Sequence, residues 1–289
     1  MVRQRRVAAW VLMAPLLVFA AVFIVYPLVK GIQTSFLGLT LQDPSSPWVG
    51  FKNYVQLFTT PGFLRAARFT LLFAILVTAV ETALGIGLAL LVNRRFPGKR
   101  LLFSFLLLPI MIAPALLGIM FRLVLNGSIG LVPAILAKFG LSVSLFAPNS
   151  IVPLLVVLDV LQWTSFTFLV VYAGLQSFPT EVLEAAQVDC AGRWRMLVSV
   201  ILPIMSPVIA AAAFLRFIDA IRTFDVIYVL TAGGPGTMTT TLSIFVYKTA
   251  FISGNFGLAS AASAVILIVL MPFVPFVVRR IARPEGGRP

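Results

Sequence analysis

A chain of 289 residues that is 60 % hydrophobic and only 11 % charged is far more apolar than the roughly 45–50 % of a soluble domain, so the bilayer is its expected solvent. With no histidine and one cysteine, Cys190, it lacks the commonest general base, an internal disulfide framework and a cysteine-rich metal site. The net charge of +13 reads, in so apolar a chain, as a set of orientation signals rather than a nucleic-acid surface.

Six apolar runs, Val7–Phe36, Ala66–Val92, Leu101–Leu125, Ile151–Leu175, Ile201–Leu230 and Gly257–Val278, reach the roughly 20 residues that cross a bilayer as helix. The expected fold is therefore all-α, one integral-membrane domain over residues 1–289 with six transmembrane helices and no soluble catalytic module. The first run follows Arg3, Arg5 and Arg6, as a signal peptide would. It outlasts the roughly 7–15 residues of such a peptide's apolar region and continues through Tyr26-Pro27 without a cleavage site, so it is read as a retained helix.

Arg3, Arg5 and Arg6 precede the first run, and Arg94, Arg95, Lys99 and Arg100 crowd the short loop between the second and third. Arg193 and Arg195 lie between the fourth and fifth, and Arg279, Arg280, Arg283 and Arg288 follow the sixth. An even number of spans puts all these groups on one side, which the positive-inside rule makes cytoplasmic together with both termini. The opposite loops, Gly38–Arg65, Asn126–Ser150 and Thr231–Phe256, carry few cations, such as Lys52, Lys138 and Lys248, and form the external face. In the first of them Trp48, Phe51 and Tyr54 suit an interfacial aromatic belt. In the last, Ala232-Gly233-Gly234-Pro235-Gly236 is mobile by composition, either a contact for an external protein or a plain solvent loop.

The loop after the fourth run, EVLEAAQVDCAGRW from Glu181 to Trp194, is a polar island. Thr180 is suited to cap a short helix whose first turn holds Glu181, and Gly192 is suited to end it before a second segment starts at Arg193 and runs to Pro203. A plain membrane-surface connector would read the same way. The fifth run carries Arg216, Asp219, Arg222 and Asp225, alternating in sign every third residue. On one helix they drift by roughly 60° per step, yet neighbours can pair. Each would cost at least about 2.5–3.5 kcal/mol facing lipid near mid-membrane, so they must face protein or water. Together with Gln162, Trp163 and Tyr228 they could line a path, offering hydrogen bonds to hydroxyls and aromatic faces to sugar rings. Alternatively they are ion pairs that fasten the fifth span to its neighbours or to a partner chain. Glu81 and Asp159 are read as structural.

Glu184-Ala185-Ala186, Asp189, Ala191, Leu202-Pro203 and Pro207 resemble, at matching spacing, the EAA loop of the inner-membrane permeases of ABC importers. Ala173 to Pro179, Thr231 to Gly236, Thr241-Leu242, Tyr247, Ala250-Phe251, Gly85 to Leu90 and Leu108-Pro109 resemble flanking segments of the carbohydrate permeases of the maltose and glycerol-phosphate type, so the resemblance covers most of the chain. Cys190 stands where the family usually has glycine, and Leu197 where it often has phenylalanine. The resemblance implies a type I importer permease fold in a bacterial or archaeal cell membrane. It implies that the loop is a coupling helix docked in a cleft of a separate ATPase, with Glu181, Glu184, Ala185, Ala186, Asp189, Ala191, Gly192 and Arg193 as its contact or shape residues. The implied partners are two ATP-binding subunits, which hold ATP and Mg, a second permease or a copy of this one, and an external binding protein that delivers a disaccharide, oligosaccharide or glycerol-phosphate compound. The chain itself lacks a phosphate-binding loop, because Gly98-Lys99 is followed by Arg100 and not by Ser or Thr. Two other classes stay open on the residues: an ion-coupled secondary transporter using the membrane carboxylates, which would leave the EAA loop without a task, and an intramembrane enzyme, for which no nucleophile arrangement is visible.

Overall fold

The structure, a computed structural model, describes residues 2–94, 96–140, 144–178, 181–182, 184, 192–272 and 275. In chain order the helices are α1 (Val2–Ala20), α2 (Tyr26–Ser35), α3 (Lys52–Thr59), α4 (Pro61–Val92), α5 (Lys99–Leu107), α6 (Pro114–Val124), α7 (Leu131–Lys138), α8 (Pro148–Gln176), α9 (Arg193–Met196), α10 (Leu202–Ile221), α11 (Asp225–Thr231), α12 (Leu242–Tyr247) and α13 (Phe256–Leu270). Among the described residues no strand forms, and the bridges Leu37 to Trp48 and Thr40 to Asn255 are isolated.

Among the described residues four helical stretches are long and apolar enough to cross a bilayer: Leu12–Ser35, Pro61–Val92, Pro148–Gln176 and Trp194–Thr231. The third expected run is not straight. Lys99–Met111 and Pro114–Val124 meet at 98°, and counting them as one broken span brings the number to five. Pro109 and Pro114 flank the bend, where each removes a helical N–H donor, and Ala113, the residue before Pro114, leaves helical geometry at ψ 134°. The sixth run is represented by α13, 15 residues long, which ends in a turn at Met271-Pro272.

Prolines also set the shape of two long helices. Ala21–Val25 and Leu197–Ile201 are π-turns, and each is followed at the second position by a proline, Pro27 and Pro203. A proline ring collides with the carbonyl four residues back, here Phe23 and Ser199, and the wider turn makes room for it.

The chain divides into two compact units, Met1–Leu64 with Phe245–Met271, and a second built from Arg65–Ile244. In the first, α2 and α3 both pack on α13. Asn53 is buried and its amide donates to the carbonyls of Ser35 at 2.8 Å and Leu37 at 2.9 Å, which the end of α2 would otherwise leave without donors. Gly257 N donates to Leu39 O at 3.0 Å, so the strand-like segment after α2 lies against the start of α13. A Cβ at Gly257 would sit 2.2 Å from Leu37 O, so glycine is required for this approach. The aromatic residues between α2 and α3 form a cluster, with Phe36 stacked on Trp48 at 5.4 Å and edge-on to Phe51.

In the second unit α4 and α8 approach closely at Gly85, where a Cβ would meet Thr167 Cβ and the Phe168 backbone at 2.9 Å. Small residues permit such contacts between membrane helices. Ala89, Val92, Phe168, Val171, Leu175 and Met205 form the core beside them. The segment expected to be mobile, Ala232 to Gly236, is folded on itself instead. Thr239 Oγ1 donates to Gly234 O at 2.7 Å, Thr240 Oγ1 to Gly233 O at 3.1 Å, and Gly233 N donates to Thr231 Oγ1 at 3.0 Å. Glycine composition predicts freedom, but the downstream threonines supply the hydroxyls that remove it.

The contacts at α13 define a test. Gly257→Ala forces the α2 end and α13 apart, and Asn53→Ala strands two carbonyls at a cost of about 1–3 kcal/mol. Both should lower the thermal midpoint of the purified protein, followed by size-exclusion after heating, and unchanged midpoints for both would overturn this account of the packing.

Candidate functional site

Three helices meet around one guanidinium. α4 carries Glu81, α8 carries Asp159 and Trp163, and α10 carries Arg216, whose side chain is 1 % exposed. Arg216 Nε lies 2.6 Å from Glu81 Oε2, and its Nη2 donates to Glu81 Oε1 at 3.1 Å and to Asp159 Oδ2. Its Nη1 donates to Asp219 Oδ2 at 3.2 Å. The Trp163 ring faces the guanidinium, 4.9 Å from centroid to Cζ. One cation is thus held by three carboxyl groups and an aromatic face. Glu81 and Asp159 are buried, whereas the Asp219 side chain is half exposed, so the cluster is closed on two sides and open on the third.

A charge in so dry a setting is tolerated only when paired and hydrogen-bonded, and removing one partner of such a group costs about 3–5 kcal/mol. The cluster therefore locks α4, α8 and α10 together. Nearby polar groups extend it. Gln162 Nε2 donates at 3.0 Å to Ile112 O, at the bend between α5 and α6, and Ser165 Oγ donates to Leu106 O. The hydroxyls of Thr78, Thr82, Thr164 and Thr167 and the Gln162 Oε1 are buried without a hydrogen-bond partner among the described residues.

The expected stripe on the fifth span is divided. Arg216 and Asp219 pair as neighbours, but α10 ends at Ile221 and a new helix starts at Asp225, so the four charges do not share one helix. The break is held by side chains from elsewhere: Ser243 Oγ donates to Arg222 O and Thr241 Oγ1 to Thr223 O, both at 3.1 Å. These bonds satisfy carbonyls that would otherwise be exposed to an apolar medium. Arg222 and Asp225 are exposed and form no ion pair among the described residues. Tyr228 stacks on Phe224 with centroids 4.9 Å apart. Of the expected path residues, the structure joins Trp163, Arg216 and Asp219 directly. It adds Glu81 and Asp159, whose acidic character inside apolar runs was the available signal of a buried partner.

Glu181 and Glu184 are exposed, as is Gly192, and helix α9 begins at Arg193 as the glycine break predicts. Gly192 O accepts the first bond of that helix, from Met196 N at 2.9 Å. Thr180, Ala185, Ala186, Asp189, Cys190 and Ala191 lie outside the described residues, and so does the side chain of Arg193.

Residues 81–284 match the family described as binding-protein-dependent transport system inner membrane component. The trehalose/maltose transport system permease protein MalF of Thermococcus litoralis is 34 % identical over 256 residues, covering 88 % of this chain and 86 % of that protein. The sulfoquinovosyl glycerol transport system permease protein SmoG of Agrobacterium fabrum is 32 % identical over 89 % of this chain and 84 % of that protein. The sn-glycerol-3-phosphate transport system permease protein UgpA of Yersinia pestis is 34 % identical over 88 % and 87 %. A crystal structure of a bacterial ABC transporter involved in the import of the acidic polysaccharide alginate has a chain of the same fold, with a TM-score of 0.84, 24 % identity and 98 % of both chains covered. The alginate transporter in complex with a pentasaccharide-bound periplasmic protein superposes with a TM-score of 0.83 at 25 % identity, over 97 % of this chain and 96 % of that one. By the extent of the family match and by relatives of this similarity along most of its length, the chain belongs to the binding-protein-dependent transport system inner membrane components and is a permease subunit of an ABC importer.

Proposed function

We propose that this permease forms, with a second permease, the path by which an ATP-driven importer carries a carbohydrate or glycerol-phosphate compound across a bacterial or archaeal cell membrane. The observation that carries the path assignment is the Arg216 cluster, a buried polar site between α4, α8 and α10 with one edge open at Asp219. Sugar hydroxyls both donate and accept, and the unpartnered threonine hydroxyls, the Gln162 Oε1 and the open carboxyl of Asp219 match that chemistry. Relatives named for trehalose/maltose, sulfoquinovosyl glycerol and sn-glycerol-3-phosphate support the substrate class.

An external binding protein delivers the substrate, and two ATPase subunits holding ATP and Mg dock on the loop containing Glu181 and Glu184. Both glutamates are exposed and so free to pair with basic groups of the ATPase. Six spans with both termini cytoplasmic place that loop on the ATPase side. The second permease makes a heterodimer with this chain, and α1, whose apolar residues from Leu12 onward are almost all exposed, contributes to its lipid or partner contacts.

Three outcomes follow from these assignments. Arg216→Met leaves Glu81 and Asp159 buried without their cation and should cost about 3–5 kcal/mol, read as loss of folded protein from detergent extracts. Asp219→Asn and Trp163→Ala should assemble normally yet lower substrate uptake in proteoliposomes at least about fivefold, the scale of one lost charged or aromatic contact; normal uptake by both would remove these residues from the path. Glu184→Lys reverses a docking charge and should weaken co-purification of the ATPase about tenfold at low salt, and full recovery of the ATPase with this variant would remove Glu184 from the interface.

A further inference from the structure

A cavity of about 300 Å³ in the second unit stands apart from the charge cluster, lined by Arg122 in the last turn of α6 and Asn126 just after it, Phe146 and Ile151 around the start of α8, and Thr231 at the end of α11 with Gly234 beyond it. From Ile151 to Asp159 is roughly 12 Å along α8 at about 1.5 Å per residue. On the importer reading this cavity faces outward, where the binding protein docks.

Its uncommitted side-chain hydrogen-bonding groups are donors. Asn126 Oδ1 already accepts from Ser128 N at 3.0 Å, Ser128 Oγ at 2.7 Å and Ile129 N at 3.3 Å. Thr231 Oγ1 bonds Ile227 O at 2.8 Å and Thr239 Oγ1 at 2.8 Å and accepts from Gly233 N at 3.0 Å. The carbonyls of Thr231, Gly234 and Pro235 accept from Gly234 N, Thr239 Oγ1 and Met238 N. The donors are less engaged. Arg122 uses Nη1 on Val229 O at 3.1 Å, which fixes the guanidinium and leaves Nε and Nη2 without an acceptor among the described residues. The Asn126 amide N–H groups likewise have none. A neutral sugar, whose hydroxyls need donors and acceptors alike, would find side-chain donors there but only the second lone pairs of those carbonyls as acceptors. A carboxylate accepts only, carries the complementary charge, and suits a fork of guanidinium donors. Phe146, Ile151 and Leu230 share the lining with the exposed Arg122, and the segments that follow Asn126 and Pro235 expose Ile129 at 76 % and Met238 at 48 %; an arginine set among apolar side chains is the make-up of a protein-interface anchor rather than of a free-anion site.

We propose that this pocket receives one Asp or Glu side chain of the docked binding protein, gripped by Arg122 and Asn126. The proposal rests on the importer reading above. It is tested on the assembled transporter in nanodiscs, with Cys190→Ser as background and Phe146→Cys placing one thiol on the pocket wall, or Ile129→Cys on its rim should the first fail to assemble. The thiol is modified with anionic methanethiosulfonate ethylsulfonate and with cationic methanethiosulfonate ethyltrimethylammonium. The anionic-to-cationic rate ratio should fall about tenfold with Arg122→Gln and be kept by Arg122→Lys, as expected for a nearby charge at intermediate dielectric. Docking of the substrate-loaded binding protein should slow both reagents. An equal ratio with and without Arg122→Gln overturns the proposal, as does protection by free glucuronate where the binding protein gives none. ATP hydrolysis stimulated by the binding protein is read in parallel: its absence refutes the importer reading itself, while its presence beside an unprotected thiol refutes only the pocket.

Discussion

A guanidinium held away from water fixes much of this architecture. Arg216 is always charged, and in its buried position it has no solvent to compensate it. The compensation has to come from Glu81 and Asp159 on two other helices, with Asp219 one turn along its own. That requirement ties three helices at one level. The close approach of α4 to α8 at Gly85, one turn from Glu81, brings two of the backbones near enough for short carboxylate side chains to reach a common centre. The same arrangement leaves Asp219 at the edge, so the group that anchors the helices also leaves one carboxyl half exposed beside them.

The rule that polar groups must find partners inside the chain explains the irregular backbone as well. Where α10 gives way to α11, hydroxyls from Thr241 and Ser243 take the freed carbonyls. Where α2 ends, the Asn53 amide does the same. Where α5 turns into α6, the Gln162 amide reaches Ile112 O. Each departure from helix is held by a polar side chain distant in sequence, as expected where broken helices are buried in protein.

The long apolar helices and the helix start after Gly192 were readable directly, because length and glycine act locally. The regular charge stripe was not. Spacing alone extends one helix from Arg216 to Asp225, but the break between them is stabilised by residues near 241–243 that no local pattern connects to it. Glu81 and Asp159 signalled a need for partners without naming one, since pairing across 57 and 135 positions is a product of the fold. The bend in the third run had a local cause in Pro109 and Pro114, yet hydropathy averages over it. The order in the Gly-rich segment came from threonines that follow it, and composition weighs glycine without weighing where the hydroxyls fall.

The π-turn before Pro203 changes how motion would pass along this chain. A turn that holds an extra residue offsets everything beyond it by roughly 100° around the axis relative to an unbroken α-helix. The segment entering from the Gly192 break and the segment bearing Arg216 therefore present different faces than a straight rod would. Were the loop displaced, the segment bearing Arg216 would turn as well as shift, as on a crank rather than a piston.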